Sequence, residues 1–264
     1  DVERSRGLGD VYKRQPDMFA PLLQQGITRR AYESGLVEVA LWNPRDYAEG
    51  NYRRVDDRPF GGGPGMVMMA QPLEDSLQAI LEARALAACP AGAPVVLFSP
   101  TGEVLTHTAV AQWSSSSGAV LVCGRYEGID QRFIDRYVTH QISLGDFVLS
   151  GGEIAAMALV DAVARLQPGV LNDAGSHQFD SFNPAIDGLL DCPHYTRPEV
   201  WQGQGVPPVL LSGHHGQIER WRRERQLALS ARLRPELVDA ARSAGRLARA
   251  DEKFLSQLGD DPVR

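Results

Sequence analysis

The chain has 264 residues, of which 43% are hydrophobic and 23% charged, with a formal net charge of −6. No run of about 18 apolar residues is present to span a bilayer, and no basic-then-apolar leader opens the sequence. Cys89, Cys123 and Cys192 are odd in number, widely spaced and without a C-x-x-C, which argues against a disulfide framework or zinc ribbon and for a reduced, cytosolic protein. Lys13 and Lys253 are the two lysines among 27 cations, and neither follows a glycine, so there is no Walker A loop.

Asp1–Gln15 carries Arg4, Arg6, Lys13 and Arg14 among glycines without an apolar period. It reads as a disordered lead or as sequence foreign to the domain, with a functional basic arm as the alternative. From Pro16 on, short apolar runs alternate with amphipathic stretches. Val37, Val39 and Leu41 alternate like a strand, and 66–69 is a short buried run. Pro72 opens a helix with Leu73, Leu77, Ile80 and Leu81 on one face. Strands are expected at 95–98, 119–122 and near Ile142. Between the last two comes a helix with Ile129, Phe133 and Ile134 turned inward, and after Ile142 a nearly apolar helix over 153–166. This alternation predicts an α/β fold, a mostly parallel sheet covered on both faces. Residues 172–188 are polar and read as a linker, leaving 189–264 as a small helical domain with helices near 213–233 and 236–247.

Standard sites are missing: there is no G-x-G-x-x-G, H-E-x-x-H or G-x-S-x-G, and the six histidines show no helical ligand spacing. Three special loops stand instead at strand C-terminal ends, where open α/β sheets bind ligands. They are Ser99–Gly102, Gly124–Asp130 and Ser143–Glu153. Each alone is an ordinary turn; three in succession predict one composite pocket, with glycines permitting close backbone approach. The stretch Glu219–Arg234 sets Arg220, Arg222, Arg223, Arg225, Arg232 and Arg234 against Glu219 and Glu224. By itself such a stretch reads as a solvated helix face; for an acidic chain with an RNA substrate it would be the cationic surface, carried by residues such as Arg220 and Arg223. Ile218, Trp221 and Leu229 are expected to pack.

The strings VDDRPFGGGPGM, GRYEGID, SLGDFVLSGGE and DGLLDCPHYTRP, in this order, resemble the bacterial tRNA (guanine-N1)-methyltransferase family of the SPOUT superfamily. The resemblance runs from about Pro16 into the C-terminal helices. It implies a parallel sheet with a deep trefoil knot over 16–171 that binds S-adenosylmethionine, a linker over 172–188 and a tRNA-binding helical domain over 189–264. The implied activity is methylation of N1 of guanosine 37, beside the anticodon, in tRNA with guanosines at 36 and 37. The implied assembly is a cytoplasmic homodimer with donor pocket and catalytic base on different subunits, and no membrane partner.

Carried over by motif, the donor contacts fall on Leu97, Phe98, Ser99 and Pro100, then Gly124, Tyr126, Glu127 and Gly128. The third loop supplies Ser143, Leu144, Gly145, Asp146, Phe147, Val148 and Leu149, with Gly151 and Gly152. The general base falls on Asp180 of the D-S-F string, its partner on Arg165, and a magnesium ion on Glu127. The chain departs from the family pattern at Asp1–Gln15, which stands where an apolar first strand is usual. It also departs by about three extra residues near 183–186, at Leu97 for an aromatic and at Phe147 for a tyrosine. Two rivals follow: a non-catalytic RNA binder on the same fold, and a SPOUT enzyme acting on ribose, which would not need the D-S-F linker.

Overall fold

The computed structural model describes residues 10–12, 16–171 and 177–258, and the chain divides into two compact units, 1–172 and 173–264. The first unit begins with strand β1 (Asp10–Tyr12) and a 3-10 turn (Pro16–Phe19) leading into helices α1 (Ala20–Gln24) and α2 (Arg29–Glu33). Then follow β2 (Ala40–Trp42), the short pair β3 (Asp56–Asp57) and β4 (Val67–Met68), and helix α3 (Ala70–Leu86). The remainder is β5 (Val95–Val104), α4 (His107–Ser114), β6 (Val120–Val122), α5 (Gln131–Tyr137), β7 (His140–Ser143) and α6 (Glu153–Arg165).

Five strands form one parallel sheet in the order β2-β1-β6-β5-β7. Alternation along the buried strands sends side chains to two cores. Val96, Phe98, Leu121 and Cys123 meet α6 and α4 on one face. Val95, Leu97, Val120 and Val122 meet Leu73, Leu77 and Ile80 of α3 and Phe133 of α5 on the other.

Two details differ from the sequence expectation. Part of the segment read as a disordered lead, Asp10–Tyr12, pairs in parallel with both β2 and β6, so it occupies an interior position of the sheet. Its three residues are too few to show an apolar period. Residues 1–9 and 13–15 lie outside the described residues. Further, β5 does not stop at Phe98. Ile142 pairs with Phe98 and again with Glu103, and a strand residue has two edges, so β7 lies between the two arms of β5. Gly102 allows this: a Cβ there would stand 2.4 Å from the Ile142 nitrogen.

The second unit contains a hairpin of β8 (Val200–Trp201) and β9 (Gln204–Gly205), a short helix α7 (Pro208–Leu211), and helices α8 (His215–Leu233), α9 (Pro235–Ser243) and α10 (Arg249–Leu255). Gln202 and Gly203 both have positive φ, as the two central residues of a tight hairpin turn require. Leu189, Leu227, Val238 and Ala241 form its core with Phe254 and Leu255 of α10, a helix that the sequence reading did not foresee. Of the 172–188 segment, 172–176 lie outside the described residues. Residues 183–186 close as a 3-10 turn, Pro184–Ile186, with Asn183 Oδ1 accepting from the Ala185 N–H and Ile186 buried.

Candidate active site

The three loops meet around one cavity of about 660 Å³, where β5 turns between its two arms and at the C-terminal ends of β6 and β7. Leu97, Phe98, Ser99 and Pro100 line it from the first loop, and Gly124, Tyr126, Glu127 and Gly128 from the second. The third loop contributes Ser143, Leu144, Phe147, Val148, Leu149, Gly151 and Gly152. Gly145 and Asp146 belong to the same loop but do not line the cavity. The wall also includes Gln131 and Ile134 of α5, Gln141 of β7 and Ala155 of α6, which carry no loop or glycine signal in the sequence.

Each loop is held by identifiable contacts. Ser99 Oγ and Thr101 Oγ1 are 2.8 Å apart, and the Thr101 hydroxyl donates to Gln141 Oε1 at 2.9 Å, tying the first loop to β7. In the second loop, Tyr126 adopts φ +60° and its hydroxyl donates to Asp56 Oδ1 at 3.0 Å. The Glu127 N–H donates to Met66 O and the Met68 N–H to Gly128 O, so the segment after the triple glycine is laced to this loop. Gly65 sits so close that a Cβ would stand 2.4 Å from Glu127 Oε1. Asp130 caps α5 by accepting from the Arg132 N–H. The hydrogen bond from the Arg132 side chain holds the Asp130 carboxyl below the usual carboxylate range.

The second and third loops press backbone on backbone. The Gly152 N–H donates to Gly124 O at 2.9 Å, and a Cβ on Gly152 would stand 2.8 Å from Cys123 Cα. Arg125 Nε reaches the fully buried Glu153 carboxylate at 2.8 Å, locking the loops from behind. Ser143 Oγ donates to Gly145 O and accepts from the Gly145 N–H, closing a tight turn, while Phe147 and Val148 stay exposed at the rim.

Arg165 ends α6 in the first unit. Asp180 lies in a turn of the second unit, where its N–H donates to His177 O and its carbonyl accepts from the Asn183 N–H. Glu127 belongs to no group of three ligating side chains among the described residues; a divalent cation there would need water and substrate oxygens for most of its shell. The single such group found among the described residues is Asp191, Cys192 and His194 of the second unit, in which His194 Nε2 and Asp191 Oδ2 are 2.8 Å apart.

The arginine-rich helix α8 departs from the open cationic face that its charge count predicts. Arg220 bonds Glu224, Asp251 Oδ1 and Ala250 O. Arg223 bonds Asp187 and the buried Asp251, clamping α8 to α10. Arg225 lies over the Phe254 ring and Arg234 over the Phe182 ring. The reason is the carboxylates of other segments, which a count along one helix does not see.

A tRNA (guanine-N(1)-)-methyltransferase of Polaromonas sp. (strain JS666 / ATCC BAA-500) is 70% identical over 253 residues, covering 96% of this chain and 97% of the relative. One of Albidiferax ferrireducens is 71% identical over 247 residues, covering 94% and 98%. One of Bordetella pertussis is 56% identical over 252 residues, covering 96% and 98%. The model of the tRNA (Guanine-1)-methyltransferase TrmD family matches residues 10–240, strand β1 included. The chain therefore belongs to the tRNA (guanine-1)-methyltransferase TrmD family.

Proposed function

We propose that the chain methylates N1 of guanosine 37 in tRNA, using S-adenosylmethionine held in the three-loop cavity. The observation that carries this reading is the convergence of three loops on one 660 Å³ cavity at the C-terminal edge of a parallel sheet. The cavity is large enough for a nucleoside-sized donor, and its glycines let ligand atoms approach the backbone. Bound there, S-adenosylmethionine supplies a methyl group made electrophilic by its sulfonium.

Guanine N1 carries a proton and is a poor nucleophile until it is lost. The Asp180 carboxylate accepts that proton, a contribution of ~10²–10⁴-fold for a well-placed base. The Arg165 guanidinium offsets the negative charge that grows on guanine O6. The pocket walls would orient the donor's methyl toward guanine N1, which would take it as the bond to sulfur is given up. The working form is a cytosolic homodimer in which Asp180 of one subunit serves the pocket of the other, and the substrate is tRNA with guanosines at 36 and 37. The trefoil knot of the fold is supported by β7 passing between the two arms of β5. Glu127 is the side chain that would hold a magnesium ion, and no step is routed through one.

The test is incubation of the full chain with labelled S-adenosylmethionine and an unmodified tRNA transcript bearing guanosines 36 and 37, followed by mapping of the methyl. Label on N1 of guanosine 37 is expected. Label on ribose, or donor binding without transfer, overturns the proposal.

A further inference from the structure

In the second unit, a groove of about 440 Å³ lies between the segment 193–199, α7 and the start of α8. We infer that this groove is a tRNA contact that holds one unpaired nucleotide, its base stacked on Tyr195 and its phosphate between Arg197 and Arg222; the inference rests on tRNA being the substrate.

Tyr195 is half exposed, and its ring is braced edge-on by Trp221 at a centroid distance of 6.2 Å. That separation and the 60° tilt leave no slot between the rings, so the open face of Tyr195 is the platform and Trp221 the buttress. Leu210 and Leu211 supply an apolar wall, and Val206, just after the β8–β9 hairpin, adds to it, its N–H donating to Glu199 O. The volume is at the small end of ligand pockets, suited to a single nucleotide rather than a duplex.

The charges point to an anion. Arg220, Arg223, Arg234 and Arg242 are all taken up by carboxylates within this unit. Arg197 and Arg222, both exposed and both on the groove wall, make no hydrogen bond or ion pair among the described residues. Glu199 is the one carboxylate of the lining. An aromatic face flanked by two uncommitted guanidiniums is the arrangement by which single-stranded RNA is gripped without duplex readout: stacking for the base, cations for the backbone.

The experiment is filter binding of an unmodified tRNA transcript to the full chain and to Tyr195→Ala, Tyr195→Phe and Arg222→Gln, with calorimetric titration of S-adenosylmethionine on each. Tyr195→Ala is expected to weaken tRNA binding about tenfold or more, while Tyr195→Phe stays near wild type because it keeps the stacking face. Arg222→Gln is expected to weaken binding and to lower the salt slope by about one. Donor affinity and the rate at saturating tRNA stay unchanged while KM for tRNA rises. Equal tRNA affinity in Tyr195→Ala and wild type overturns the inference; should that variant misfold by circular dichroism, an unchanged affinity and salt slope in the surface variant Arg222→Gln does the same. A wild-type chain that binds no tRNA removes the substrate reading and the groove together, whereas a methylating wild type with indifferent variants removes the groove alone.

Discussion

Arg125 Nε and Glu153 Oε1 are 2.8 Å apart at the place where the second and third pocket loops meet, with the Glu153 side chain almost wholly buried. Glu153 is also the first residue of α6, so its charge faces the positive end of that helix. Replacing it takes from the half-buried Arg125 guanidinium its carboxylate partner. Glu153→Ala is expected to cost about 3–5 kcal/mol of stability, read as a lowered urea midpoint. It should also loosen donor binding in calorimetry, because the loops then lose their shared brace.

Asp180→Ala tests the base. Single-turnover methylation is expected to fall by about 10²–10⁴-fold, with S-adenosylmethionine and tRNA affinities kept. Retained turnover removes Asp180 from the role.

Close backbone approach gives a second kind of prediction. In Gly152→Ala the new methyl meets Cys123 Cα at 2.8 Å and Gly124 N at 3.1 Å, both main-chain atoms that cannot swing aside. The expected cost is about 1–3 kcal/mol, together with weaker donor binding. Gly205→Ala, where a Cβ meets nothing within 4 Å, is the control and should leave both unchanged.

Arg223 separates a structural from an RNA-facing reading of α8. Because it neutralises the buried Asp251, Arg223→Ala is expected to destabilise the second unit by about 3 kcal/mol. A variant with unchanged melting and weaker tRNA binding would return this residue to the RNA face.

Cys192 supplies a pH test. Burial, and then the Asp191 carboxylate, push its thiol from an ordinary value near 9 up to about 11. The folded state therefore keeps a proton that the unfolded chain releases. Its contribution to stability is full below pH 9 and is lost as pH rises from 9 to about 11. Urea midpoints should fall over this window more steeply for wild type than for Cys192→Ala, and equal slopes would show that the thiol is not so held.

How far the sequence could be read follows from how local each signal is. The three cavity loops are legible because a glycine-rich turn after an apolar run is a local pattern. The unbroken apolar run Val95 to Phe98 likewise marks a strand buried on both faces. Gln131, Gln141 and Ala155 escape because they reach the cavity from regular elements, through tertiary placement alone. The inward turn of Arg220 and Arg223 escapes for the same reason: their partner Asp251 lies about thirty residues away. Asp10–Tyr12 is hidden by brevity, since its place in the sheet is set by neighbours already in register on both sides.

The position of β7 between the arms of β5 has a mechanical side. An edge strand can be unzipped one bond at a time, but β7 is gripped along both margins at Ile142. Tension applied from its C-terminal end loads both ladders together, in shear. An unfolding motor that engages the chain from that end would strip residues 144–152 from the cavity wall before it meets the doubly paired strand, so under such a pull the donor pocket opens while the sheet still holds.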